Sequence, residues 1–139
     1  MDTLFKILTL LQLYKMSKDD LKMLAIYQKD IDILLLIACL HALSKGNFNF
    51  IGLILLPFYY LMNRFPVFGQ GDLLIFMTLA LPLKSIHWFT MMQCSFLFAA
   101  LYVFYLWFVK KDKPDRLAFV PFIMWAYCYL EIISPICFN

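Results

Sequence analysis

Residues 87–109 form an unbroken run without a single Asp, Glu, Lys or Arg. As a helix this run is about 35 Å long, enough to cross the hydrocarbon of a bilayer. The rest of the chain repeats the pattern at shorter length. Residues 33–43 are apolar and close on Ser44-Lys45-Gly46-Asn47, a turn-forming cluster. Residues 48–62 follow and stop at Asn63-Arg64-Phe65-Pro66. Residues 73–83 carry Pro82 near their end, and residues 117–133 come after the basic joint Lys110-Lys111-Asp112-Lys113-Pro114-Asp115-Arg116. An apolar run before Tyr14 adds one further short helix.

Composition decides which solvent such a pattern faces. Apolar residues make up 64% of the chain and charged residues 15%, against about 45–50% and about 25% in soluble domains. Too few polar side chains remain to cover a core with a wetted surface. The expected fold is therefore an all-α integral membrane protein, a polytopic bundle of about five to six short transmembrane helices in a single domain over residues 1–139. Lipid demands helices, because backbone groups there must pair within their own segment. Stretches below roughly 20 residues need a thinned bilayer or protein neighbours. The N-terminal run lacks a small-residue cleavage site and does not read as a removable signal peptide.

Basic residues orient the bundle, since Lys and Arg concentrate in cytoplasmic joints. With the joint at residues 110–116 taken as cytoplasmic, the inside joints hold Lys15, Lys18, Lys22, Lys29, Arg64, Lys110, Lys111, Lys113 and Arg116. The outside joints hold only Lys45 and Lys84. The same walk puts Asp19, Asp20, Asp30, Asp32 and Asp72 on the cytoplasmic face. A net charge of +3 without a basic, aromatic-interleaved stripe argues against nucleic-acid binding. Cys39, Cys94, Cys128 and Cys137 form no C-x-x-C pair, and with only His41 and His87 they supply no zinc-ligand spacing. No metal or cofactor is expected.

One tetrapeptide carries chemistry. Gly69-Gln70-Gly71-Asp72 stands where a polar joint enters an apolar stretch. The glycines let another segment approach closely, and an ionisable group entering apolar sequence is costly and calls for a role. Alone, the tetrapeptide is equally a glycine turn with an Asp near the next helix start.

Further residues extend the match. Asp20-Leu21-Lys22-Met23-Leu24-Ala25-Ile26-Tyr27-Gln28 and Phe119-Val120-Pro121-Phe122, together with the G-x-G-D, make the chain resemble the type IV prepilin peptidase family, most of all its compact competence-type Gram-positive members. The resemblance covers roughly residues 20–131. The family's first motif ends in Pro-Asn, where this chain has Tyr27-Gln28, and the helix before it reads as short and polar.

The resemblance implies an intramembrane aspartyl endopeptidase with Asp20 and Asp72 as catalytic residues. Gly69, Gly71 and Pro121 become motif-structural positions, and Asp19 or Asp30 the alternatives for the first aspartate. It implies a membrane-embedded prepilin or pseudopilin substrate, cut after a Gly in a short basic leader. It also implies a bacterial plasma-membrane location with the active site facing the cytoplasm. The N-terminal methyltransferase region of larger members has no counterpart here, so no methylation is expected.

Two neighbouring carboxylates cannot both ionise readily and share one proton; the ionised one activates water while the protonated one polarises the scissile carbonyl. Such a pair titrates as a unit, and the sequence gives neither aspartate a fixed role. Glu131 in the last apolar run is expected to snorkel to the interface, and His41 and His87 are expected to be interfacial. Two alternatives compete: a non-enzymatic small membrane protein and an inactive or truncated homologue. A transporter would distribute polar groups through several spans, whereas here the acids gather on one face.

Overall fold

The computed structural model describes residues 1–62, 69–111 and 117–133. The joint beginning at Asn63, residues 112–116 and Cys137 lie outside them. All regular structure among the described residues is helical: α1 (Asp2–Met23), α2 (Gln28–Lys45), α3 (Leu56–Met62), α4 (Gln70–Ala80), α5 (Ser85–Tyr105) and α6 (Val120–Cys128). A 3-10 turn, Phe50–Leu55, leads into α3, and wider π turns continue α5 over Leu106–Lys110 and α6 over Tyr129–Ile133.

The largest departure from the sequence reading is α1. It is neither short nor confined to the residues before Tyr14: it runs for 22 residues and carries Asp20 in its last turns. The expected polar joint over residues 14–32 shrinks to the connector between Met23 and Gln28. The polar residues misled because they are split between two sides. Thr9, Gln12, Ser17 and Asp20 face inward with Leu13 and Met16, while Lys18 and Lys22 stay exposed. Asp2 in the first turn and Lys22 in the last both complement the helix dipole. Leu24 ends the helix in the left-handed region, at φ 50°.

The other ends follow local chemistry. Helix α2 closes at Gly46 (φ 64°), where Gly46 N–H donates to the Leu43 carbonyl and Asn47 N–H to that of Ala42, a Schellman arrangement. Helix α4 stops at Ala80, with Leu81 still at helical dihedrals (φ −56°, ψ −52°) before Pro82, which has no N–H to continue the helical hydrogen bonds. Asn49 ties the neighbouring loops: its side chain accepts from Ile51 N–H and donates to the Leu83 carbonyl and to Ser85 Oγ.

Helix α1 lies between α2 and α6, α5 packs on α6, and α4 packs on α2 and on the 3-10 turn. Leu13, Met16, Leu34, Ile75, Phe76, Leu79, Trp88, Val120, Ile123 and Tyr127 fill the centre, each large apolar side chain there contributing about 1.5–3 kcal/mol by leaving water. Trp88 Nε1 donates to the Phe76 carbonyl at 2.8 Å, so the indole is satisfied where it is buried. Gly52 is required by proximity: a Cβ there would stand 2.8 Å from the Met77 carbonyl oxygen.

Among the described residues one helical stretch, Ser85–Lys110, is long and apolar enough to cross a membrane; Phe50–Leu61 and Gln70–Ala80 are shorter apolar helices. The long stretch is also poorly covered. Leu101, Tyr102, Phe104, Tyr105, Trp107, Phe108 and Val109 are all exposed, with Leu106 buried among them.

Candidate active site

Helix direction sorts the polar groups into two poles. The end of α1, the start of α4 and the start of α6 meet at one; the start of α1, the end of α2, the start of α5 and the far end of α6 meet at the other. Lys6 and Asp20, one at each pole, are separated by about 20 Å along α1.

The first pole assembles the sequence motifs. Asp72 stands in the first turn of α4, with its N–H donating to the Gly69 carbonyl, and its side chain is buried. Asp20 is buried beside it, close enough for the two carboxyls to act on one another electrostatically. Asp20 Oδ2 accepts from the Val120 N–H at 3.1 Å, and the Phe119 N–H is directed at the same carboxylate. Asp72 differs: its Oδ1 is buried with no hydrogen-bond partner among the described residues.

The glycines of the motif follow from this crowding. A Cβ on Gly69 would lie 2.7 Å from Asp72 Oδ2, and one on Gly71 would lie 2.7 Å from Ile26 Cδ1. Ile26 belongs to the connector after α1, so Gly71 lets that connector close over the base of α4. Pro121 takes the second position of α6, where its missing N–H costs nothing because first-turn amides have no partner within the helix.

The alternatives for the first aspartate stand elsewhere. Asp30 is buried but committed: its Oδ1 lies 2.6 Å from Lys15 Nζ and accepts from Gln12 Nε2 at 3.3 Å, while its carbonyl accepts from the same Gln12 amide at 3.0 Å. Asp19 is half-buried one position before Asp20. Asp32 is exposed and bonded by Gln28.

The second pole corrects the reading of Glu131 and of His41, while His87 is exposed beside Glu131. Glu131 does not snorkel outward; it is buried, with Lys6 Nζ at 3.0 Å and His87 Nδ1 at 3.2 Å. His41 is fully buried, not interfacial: its Nε2 lies 2.6 Å from Asp2 Oδ1, and the Phe5 ring stacks on it. Lys45 reaches Asp2 at 2.9 Å and Lys6 at 3.3 Å. Burial of Glu131 is possible because Lys6 reaches it from another helix, and His41 is satisfied by the half-exposed Asp2. Among the described residues no three His, Cys, Asp or Glu side chains come together as a metal-ligand set.

The sequence reading missed Val120, Phe119 and Ile26 as parts of the first pole. A backbone N–H carries no side-chain signature, and only the placement of Phe119-Val120-Pro121-Phe122 after the basic joint hinted at it. No family model, curated protein or solved structure matches the chain. The resemblance to prepilin peptidases rests on the motif residues themselves.

Proposed function

We propose that the protein is an intramembrane aspartyl endopeptidase that removes the leader of type IV prepilins or pseudopilins after a Gly, at the cytoplasmic face of a bacterial plasma membrane. One observation carries the reading: Asp20 and Asp72, on helices far apart in the chain, are both buried and close enough to act on one another electrostatically, with no basic side chain paired to either among the described residues. Every other buried acid among the described residues is held by a basic side chain. A structural role would favour the same arrangement for Asp20 and Asp72, since buried like charges oppose each other. Aspartyl hydrolysis instead requires two carboxyls that share a proton, one to activate water and one to polarise the carbonyl.

The membrane setting is part of the proposal. A polytopic bundle is supported by the exposed apolar surface of α5, by the similarly exposed Leu36, Leu40 and Leu43 on α2, and by the excess of basic residues on the side of Asp20 and Asp72. A prepilin in the same bilayer would present its leader at that side.

The test is co-expression with a prepilin and a gel-shift assay of leader removal, comparing wild type with Asp20→Asn, Asp30→Asn and Asp72→Asn. The expected result is cleavage by wild type and Asp30→Asn and none by the other two. Cleavage that survives Asp72→Asn would falsify the proposal, and loss on Asp30→Asn with retention on Asp20→Asn would move the first catalytic position.

A further inference from the structure

The two carboxyls of the first pole are not equivalent, and their surroundings differ in a way the motifs do not encode. Asp20 receives a main-chain N–H from Val120 at 3.1 Å, and that amide belongs to the first turn of α6. First-turn amides have no acceptor within their own helix, so this N–H is free for another purpose without loss to α6. They also sit at the positive end of the helix dipole. A donor of this kind favours a carboxylate over a carboxylic acid. Asp72 has the opposite setting: it is buried, and its Oδ1 has no donor among the described residues.

Resting on the peptidase reading above, we propose that the Val120 N–H is a positioning group that fixes the roles in the pair, holding Asp20 as the carboxylate that activates water and leaving Asp72 to carry the shared proton. The balance is as follows. Asp20 takes a proton from water as the water oxygen bonds to the scissile carbonyl carbon. The carbonyl π pair moves to its oxygen, which takes the proton from Asp72 to give a gem-diol. Asp20 then returns its proton to the amide nitrogen as the C–N bond breaks, and Asp72 recovers a proton from a diol hydroxyl as the carboxylic acid product forms. The net change is one water added across one peptide bond, with both aspartates restored.

Phe119 and Phe122 hold the donor in place. Phe119 packs edge-on against Phe76 of α4 and at a tilt against Phe96 of α5, and Phe122 packs against Tyr102. Val120 itself is fully buried. The start of α6 is thereby fastened to α4 and α5 while its amide reaches α1.

The test replaces the Val120 N–H by oxygen, using the α-hydroxy acid analogue of valine at that position in the full chain, reconstituted in phospholipid vesicles. The probe substrate is a single apolar helix preceded by a short basic leader ending in Gly. An ester at Ile123, whose N–H donates to the Phe119 carbonyl within α6, perturbs the same turn without touching Asp20 and serves as the control. The expected result is that the Val120 ester moves the acid limb of the kcat/KM profile to higher pH by about one unit, an approximately tenfold fall on that limb. KM and thermal stability are expected to change no more than in the Ile123 ester, whose acid limb stays in place. An unmoved limb in the Val120 ester, or equal movement in both esters, overturns the positioning role while leaving the peptidase reading intact. Failure of wild type to cleave, or cleavage by Asp72→Asn, removes the peptidase reading and this inference with it.

Discussion

The two poles of the bundle use the same kinds of residue to opposite ends. At one, Asp2 and Glu131 are each met by lysine and histidine side chains: Lys6 bridges both, Lys45 and His41 reach Asp2, and His87 reaches Glu131. At the other, Asp20 and Asp72 lie within electrostatic reach of one another, with main-chain amides on Asp20 and no paired basic side chain among the described residues. A carboxylate neutralised by lysine is a fastening; it cannot also trade a proton readily. A carboxyl pair without cations is poor fastening and good chemistry. The difference teaches that burial of an acid is uninformative until its partners are known.

The comparison breaks most sharply on Asp72→Asn. Leader cleavage is expected to fall by roughly 10³-fold, in the range assigned to loss of a general acid or base. Thermal stability in detergent should hold near wild type, because the amide is as neutral as the protonated Asp72 it replaces. A fall in melting temperature with cleavage retained would reverse the roles assigned to the poles. Next in size is Glu131→Gln, which strips a buried acid from Lys6 and His87 and is expected to cost about 3 kcal/mol of stability. Cleavage per folded molecule should be unchanged, measured by gel shift on protein normalised for folded fraction.

Gly69→Ala sharpens the first pole geometrically. Its new Cβ would meet Asp72 Oδ2 at 2.7 Å, and displacement of a reacting group by a fraction of an ångström to one ångström costs up to about 10²-fold. The fall should appear in kcat while melting stays near wild type. The smallest effect is expected of Asp30→Asn. Its Lys15 partner is mostly exposed, so solvent screens the ion pair and its loss is read as a small melting shift with full cleavage.

The reach of the sequence differed between the poles for a physical reason. Local patterns were legible: the glycine-ended turn after α2 and the G-x-G-D start of α4 are both encoded within a few residues, whereas α4 ends at Ala80, short of the residues 73–83 expected. The Asp20 to Asp72 meeting was legible only through two such motifs read together. The second pole was opaque because its pairs join residues with no shared motif, Lys6 with Glu131 and His41 with Asp2. Helix α1 was underestimated because its inward face is built partly from Thr9, Gln12, Ser17 and Asp20, which dilute the apolar stripe that marks a helix. The Val120 amide was invisible for a simpler reason, since every residue except proline has one.

The packing of α1 against α6 has a consequence for assembly. The Asp20 to Val120 hydrogen bond spans 100 residues and the Lys6 to Glu131 contact 125. Such contacts carry a large loop-closure entropy and form late in folding. As the chain emerges from the ribosome, α1 and its inward face must wait, covered by α2 alone, until α6 has been made. Docking of α6 and the turn after it then brings the Val120 amide to Asp20 and Glu131 to Lys6 in one event. A nascent chain without α6 and the turn after it would hold Asp20 and Asp72 but neither the Val120 amide nor the Glu131 ion pair, while the pairs of Asp2 with His41 and Lys45 join α1 and α2 without it.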